Sequence, residues 1–304
     1  MAIAPARPRA QPQAANSRPA LRQRAEQLAA SLPPLMAAAE RVAATVAQGV
    51  HGRRRVGPGE SFWQFRRYQP GDAAGRVDWR QSAKSQKYFV RENEWEAAQS
   101  VWLWRDGSPS MRYRSFAAEV EKLERADLLL MALAALLIRG GERVALLGVQ
   151  ERPASGRAAL TRLANHLLAG EAETPSLPQG ERLPRHARIV LIGDFLSPLS
   201  ELDALVRSYA GQGIGGHLLQ VLDPAEEDLP FRGRTRFEGV EGEGALTIGR
   251  AETLREAYLN RLAARREAVQ GLARAVGWTA AFHRTDRPPQ TALLALYAAL
   301  SGNS

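Results

Sequence analysis

Short apolar runs alternate with helical stretches through the last two thirds of the chain, and this alternation limits the fold more than any other feature. Apolar runs typical of strands cover residues 100–105, 143–149, 187–193, 216–222 and 278–283. Helical periodicity covers residues 119–139, 157–168, 198–210, 252–276 and 288–300. Because near-continuous apolar strands separated by helices are typical of a parallel sheet covered on both faces, we predict an α/β fold. The predicted domain is doubly wound, mostly parallel and Rossmann-like, spans residues 98–300 and includes a short hairpin within residues 235–248.

The chain ahead of this domain has a different composition. Residues 1–20 are rich in Ala, Pro, Arg and Gln without apolar periodicity, which predicts a disordered basic tail. Residues 21–97 are predicted to hold an N-terminal helical segment, broken at Pro33 and Pro34, and then an aromatic-rich extension. Six of the chain's 14 Trp and Phe residues fall within residues 60–97, where a strand is predicted over 87–92.

The net charge of +9 is concentrated at the N-terminus. Residues 1–57 hold nine Arg and two Glu, so the rest of the chain is almost neutral. Nucleic-acid binding through this basic arm is therefore an alternative function, although we do not expect nucleic acid as the main partner. The chain has no Cys, which excludes disulfides and thiolate metal sites. No apolar run reaches the roughly 20 residues of a transmembrane helix, and no secretory signal is recognisable, so we expect a cytoplasmic protein.

Oxygen-bearing side chains follow two of the predicted core strands. Asp106, Ser108 and Ser110 come directly after the first strand, and Asp194 follows the third. Because ligands bind beyond the carboxyl ends of strands in open parallel sheets, we expect these four residues at one edge. An all-oxygen set suits a hard cation such as Mg²⁺, so we predict a metal site there. The alternative is structural, because Asp often caps helices and Ser-Pro-Ser is ordinary turn chemistry.

Sequence motifs of common enzymes are missing. The chain contains no G-x-x-x-x-G-K-[ST], H-E-x-x-H or G-x-S-x-G motif and no dinucleotide fingerprint after a strand. Its five His are scattered, and His217 and His283 lie in predicted strands, where a core or rim position is expected. We therefore predict no catalytic residues and a non-enzymatic protein. A metal-assisted hydrolase at the same sheet edge stays as an alternative.

Two resemblances bear on function. The D-x-S-x-S motif at residues 106–110 resembles the metal-ion-dependent adhesion site of von Willebrand factor type A domains. The segments R-Y-Q-P-G-D at 67–72, R-V-D-W-R at 76–80, S-A-K at 82–84, V-R-E at 90–92 and D-G-S-P-S-M at 106–111 resemble the bacterial domain-of-unknown-function 58 family. This family is a von Willebrand type A relative. The resemblance implies a partnership with MoxR-type AAA+ ATPases in the assembly or maturation of a client protein, whose identity stays open.

The first resemblance also implies roles for the four predicted ligands. Ser108 and Ser110 would coordinate Mg²⁺ directly, Asp106 and Asp194 would hold waters, and an acidic residue of a partner would complete the coordination. The adhesion site also uses a Thr, which this sequence does not identify: Ser155, Thr161 and Thr174 are its poorly matching candidates.

Charged residues of the extension offer a second candidate surface. Arg67, Asp72, Asp78 and Arg80 are predicted to bind a partner protein or, alternatively, to form an internal ion-pair network. Trp79 is interpreted as a packing residue, which favours the internal network.

Overall fold

The computed structural model describes residues 34–47, 61–69, 77–84, 87–94, 100–169, 175–239 and 244–302. The predicted tail at 1–20 lies outside these residues. The extension contains a helix at 34–47 (α1), β1 (Ser61–Arg67), α2 (Trp79–Ser82) and β2 (Phe89–Glu94). The strands that follow are β3 (Ser100–Arg105), β4 (Arg143–Leu146), β5 (Arg188–Gly193), β6 (Gly215–Leu222), β7 (Thr235–Glu238), β8 (Ala245–Ile248) and β9 (Thr279–Arg284). The helices that follow are α3 (Lys122–Arg139), α4 (Arg157–Ala169), α5 (Leu199–Gly211), α6 (Pro224–Asp228), α7 (Arg255–Ala275) and α8 (Pro289–Gly302).

Five of the strands form a parallel sheet in the order β4-β3-β5-β6-β9. One hydrophobic cluster combines residues of α1, α3, α4 and α8 with one face of the sheet. The other cluster combines residues of α5 and α7 with the second face, including Trp102, Trp104 and Trp278. Helices therefore cover both faces, as near-continuous apolar strands require. The predicted α/β class, doubly wound with a parallel sheet, is confirmed.

Helix α1 packs into the core of the domain. Its described part starts at Pro34, the second of the two prolines that were predicted to break the segment. Ala39, Val42, Ala43 and Val46 are buried in the same cluster as α3 and α8. The helical part of the N-terminal segment thus contributes to the core that the sheet builds.

The extension also contains an antiparallel pair of strands. Arg67 at the end of β1 lies opposite Phe89 at the start of β2. The one-turn helix α2 is attached to β2 by two hydrogen bonds: the N–H of Asp78 donates to the carbonyl of Phe89 at 2.8 Å, and the N–H of Phe89 donates to the hydroxyl of Ser82 at 2.8 Å. These bonds fix α2 on the edge of β2.

None of the helices in the described ranges combines the length and hydropathy that crossing a bilayer requires.

Candidate functional site

The ends of β3 and β5 bring the four predicted ligands together. The N–H of Asp106 donates to the carbonyl of Ile192 at 2.8 Å, which holds the residue beside β5. Asp106 Oδ1 accepts the N–H of Ser108 at 2.8 Å, and the hydroxyls of Ser108 and Ser110 lie 3.0 Å apart. The Ser110 hydroxyl donates to Asp194 Oδ2 at 2.7 Å. All four therefore form one cluster at the carboxyl edge of the sheet, which we call the rim cluster.

A glycine makes this close approach possible. A Cβ on Gly193, the last residue of β5, would lie 2.9 Å from the Cβ of Asp106. Any larger residue would push the two strand ends apart. The sequence Gly-Asp at the end of β5 is thus part of the local geometry of the rim cluster.

The rim cluster includes a buried lysine that sequence reasoning missed. Lys122, the first residue of α3, has no exposed surface. Its Nζ donates to Asp194 Oδ2 at 3.0 Å and to Glu226 Oε1 at 2.6 Å. Burial lowers the pKa of the Lys122 ammonium, but the carboxylates of Asp194 and Glu226 together outweigh burial and raise that pKa above its usual value. The lysine therefore stays charged.

One signal for Lys122 was present in the sequence. The chain has three Lys, and this one begins a helix whose residues 128–138 are all apolar. A cation at a helix N-terminus faces the positive end of the helix dipole, which is unfavourable unless carboxylates compensate. The position therefore indicates that Lys122 has carboxylate partners, although only the fold shows which carboxylates these are.

Two further carboxylates connect the rim cluster to neighbouring segments. Glu226 Oε2 accepts the N–H of Asp223 at 2.8 Å. Asp223 Oδ2 accepts the N–H of Ser115 at 2.9 Å, and its Oδ1 accepts the N–H of Ala225 at 2.7 Å. Asp223 and Glu226 together cap the N-terminus of the short helix α6, which was not predicted. Through these bonds the loop at residues 112–121 is attached to the same network as Lys122.

The donor set permits a test of whether a divalent cation fits. Asp194 Oδ2 already accepts from both the Ser110 hydroxyl and the Lys122 ammonium, and Oδ1 accepts from the N–H of Leu196. The Thr161 hydroxyl donates to the carbonyl of Arg157 within α4 at 3.2 Å, and Ser155 is exposed. Thr174 lies outside the described residues. Across the described ranges, no three or more His, Asp or Glu residues are grouped to hold a metal. In the arrangement that the structure shows, these residues do not fit Mg²⁺. Binding of Mg²⁺ by the protein stays a prediction for experiment.

The predicted partner-binding residues do not all lie in the described part of the chain. Asp72 lies outside it, Arg67 and Arg80 are exposed, and Asp78 is half-buried. The interpretation of Trp79 as a packing residue is wrong, because its side chain is 63% exposed. Helix α2 has a single turn at the edge of β2, so it offers no enclosed space for an indole.

Trp79 instead contacts another exposed aromatic residue. Its ring lies edge-on to that of Tyr88 with centroids 6.0 Å apart, and Tyr88 is 62% exposed. Tyr68 directly follows β1 and is 38% exposed, and its N–H donates to the carbonyl of Tyr88 at 2.9 Å. We call the surface formed by these three aromatic residues, together with exposed Arg67, Arg80, Lys84 and Lys87, the hairpin surface.

The two strand histidines lie inside the domain, as predicted. His217 is 1% exposed and His283 is 5% exposed. The Nδ1 of His217 hydrogen-bonds the Thr279 hydroxyl at 2.7 Å, and the Nε2 of His283 lies 3.2 Å from an Arg125 nitrogen. Burial, with a nearby Arg in each case, lowers the pKa of both histidines to about 4, so both are neutral at pH 7.

The fold defines a doubly wound α/β protein with a parallel sheet, and the rim cluster lies at the carboxyl edge of that sheet. Comparison with known sequences is more specific: the family described as "Protein of unknown function DUF58" matches residues 64–268, and the chain belongs to this family.

Curated relatives include the uncharacterized proteins Mb1516 of Mycobacterium bovis and Rv1480 of Mycobacterium tuberculosis. Each is 27% identical over 266 residues, which covers 80% of this chain and 80% of the relative. Among solved structures, similarity extends to an aerotolerance-related membrane protein of Bacteroides fragilis (18% identity, TM-score 0.40) covering 67% of this chain and 100% of that one. It also extends to BatB of Bacteroides thetaiotaomicron (14% identity, TM-score 0.38), covering 68% of this chain and 100% of that one.

Proposed function

We propose that this protein is a non-enzymatic adaptor that holds an acidic segment of a partner protein on the hairpin surface. The observation that carries the proposal is the exposed contact pair of Trp79 and Tyr88. Trp, Tyr and Arg are the residues most enriched among those that dominate binding energy at protein interfaces. Large aromatic rings in contact on the surface expose apolar area that a partner would remove from water.

The charge of the hairpin surface indicates the chemistry of the partner. Four basic residues near the aromatic pair in the chain or in the strand pairing are exposed: Arg67, opposite Phe89, and Arg80, Lys84 and Lys87. Asp78, directly before Trp79, is an acidic neighbour of this surface, and it is half-buried. A basic surface with aromatic anchors is complementary to an acidic segment, which sets both the encounter rate and the choice of partner.

A MoxR-type AAA+ ATPase is the partner that the family resemblance implies, and we propose it as the protein that supplies the acidic segment. The adaptor would then present a client to the ATPase for assembly or maturation. A Mg²⁺ ion at the rim cluster, completed by an acid of the partner, is the other route by which this adaptor could bind. The Lys122 contact with Asp194 favours the hairpin surface over this route.

The test measures binding of the purified MoxR-type ATPase from the same organism to the full chain by isothermal titration calorimetry. We expect Trp79→Ala to weaken binding at least 30-fold, because loss of a dominant interface residue costs about 2 kcal/mol or more. Phe116→Ala is the matched control, since Phe116 is 83% exposed on a different element, the loop at 112–121. Wild-type affinity in Trp79→Ala would refute the hairpin surface, and a loss confined to Phe116→Ala would place the docking surface at the rim instead.

The two alternative functions, nucleic-acid binding and metal-assisted hydrolysis, predict different results for the same purified protein. A chain lacking residues 1–33 keeps all of α1 but loses five Arg of the basic arm. We expect it to bind the ATPase like the full chain. If the arm instead bound nucleic acid, the full chain would bind single-stranded DNA with a steep salt dependence, and the truncated chain would not. Hydrolysis of a phosphoester or peptide that is lost in Asp106→Ala would favour the hydrolase.

A further inference from the structure

The environment of Lys122 is unusual for a lysine. Lysine is almost never fully buried unless it is paired, yet this side chain has no exposed surface and lies at the N-terminal end of a helix. Removing an ammonium from water is costly, and only close carboxylates can compensate. Two do so here, Asp194 at 3.0 Å and Glu226 at 2.6 Å.

These contacts give Lys122 the connecting role that a bound cation would have. Asp194 follows β5, Glu226 belongs to α6, and the lysine itself begins α3. The Ser110 hydroxyl reaches the same Oδ2 atom of Asp194 as the ammonium does. Three elements and the loop after β3 thus converge on one positive charge.

A divalent cation and this ammonium exclude each other. The Ser110 hydroxyl, a predicted direct ligand, lies 2.7 Å from Asp194 Oδ2, and Lys122 Nζ is 3.0 Å from the same oxygen. An ion held by Ser110, with Asp194 bound directly or through water, would therefore lie within several ångströms of the ammonium. Like charges at that separation repel strongly in a buried site, where water screens poorly. Either the lysine leaves both carboxylates, or the divalent cation stays out.

We infer that the Lys122 ammonium is the resident cation of the rim cluster and takes the place of the Mg²⁺ that the D-x-S-x-S motif suggests. The rim is therefore held together without a divalent cation. The loop at 112–121, attached through Ser115 and Asp223, keeps its position in the presence of a chelator. This inference does not depend on the hairpin surface or on any partner.

The experiment compares the full chain with Lys122→Met in EDTA, in millimolar Mg²⁺ and in millimolar Mn²⁺. For the wild type we expect the same Tm in all three conditions and no Mn²⁺ binding by electron paramagnetic resonance. Lys122→Met should lose about 10 °C in Tm, because it leaves two buried carboxylates without their cation. Mg²⁺ or Mn²⁺ should restore part of that loss, and the double variant with Asp194→Asn should not respond. Lys84→Met, at an exposed lysine, is the matched control with an unchanged Tm.

The wild type alone decides the question if Lys122→Met does not fold. Stoichiometric Mn²⁺ binding by the wild type that disappears in Asp194→Asn would overturn the inference, because the rim would then be a true divalent-cation site. A Lys122→Met chain with wild-type Tm in EDTA would overturn it as well, since the ammonium would then hold nothing together.

Discussion

Gly216 allows the indole of Trp278 to lie directly on strand β6. A Cβ at this position would approach the ring atoms to 2.3 Å, and the indole is 2% exposed. Its Nε1 donates to the carbonyl of Ile214 at 2.9 Å, so the ring cannot move away without losing a buried hydrogen bond. The missing side chain of one residue thus sets the position of the largest residue type in the core.

We expect Gly216→Ala to lower the free energy of unfolding by about 2 kcal/mol, in the range of overpacked cores. Gly215→Ala is the control, because a Cβ there meets nothing within 4 Å. Urea unfolding followed by Trp fluorescence measures both variants. Equal stability of the two would show that Trp278 can shift at no cost.

The contacts and the exposure of single residues were harder to predict from the sequence than the helices and strands. Asp106, Ser108, Ser110 and Asp194 were placed at one edge from strand order alone, because carboxyl ends of parallel strands share an edge. The participation of Lys122 was missed because its partners are 72 and 104 residues away in the chain. The exposure of Trp79 was missed because composition favours burial of Trp, whereas the single-turn helix that carries it has nothing above it.

Elements were predicted better, since hydrophobic periodicity is local. Every core strand and long helix was expected near its actual position, with ends displaced by a few residues. Strand β4 ends at Leu146, short of the predicted residue 149, because Gly148 adopts a positive φ of 83° and the chain returns to pair Ala154 with Val144. The short elements β1 and α6 were missed. Neither their length nor their composition gives a periodic signal.

At the scale of elements, α1 offers a direct test of its place in the core. Ala43 is fully buried in the cluster shared with α3 and α8, whereas Ala47 on the same helix is exposed. We expect Ala43→Asp to cost about 3 kcal/mol, because it buries an unpaired carboxylate, and Ala47→Asp to cost less than about 0.5 kcal/mol. Chemical denaturation gives both values. Similar small losses in the two variants would mean that α1 does not pack on the domain in solution.

For the whole molecule, two buried histidines make stability depend on pH. The pKa of His217 and that of His283 are about 4 in the fold, below the ordinary 6.5. The fold therefore favours the neutral rings. Their contribution to the free energy of unfolding is complete above pH 6.5 and is lost as the pH falls toward 4. Asp127 acts in the opposite direction: burial raises its pKa to about 6, although Arg105 opposes this, so protonation of Asp127 stabilises the fold as the pH falls.

Between pH 7 and pH 5 each histidine should lose about 2 kcal/mol of stabilisation, and Asp127 should recover about 1 kcal/mol. The whole chain is thus expected to become less stable in mild acid. His217→Gln should reduce the loss between these two pH values by about 2 kcal/mol, because glutamine does not titrate. Urea midpoints at both pH values measure this difference. An identical pH dependence in the variant would assign the acid sensitivity to other groups.

A positive charge that belongs to a side chain cannot diffuse away, and its position is tied to the helix that carries it. Lys122 begins α3, so sliding that helix by one turn, about 5.4 Å, would withdraw the ammonium from β5 and from α6 in a single movement. The position of α3 along its axis and the ion pairs at the sheet edge consequently change together. Mechanical force or a bound protein can shift the helix and so break these ion pairs, whereas a chelating agent cannot.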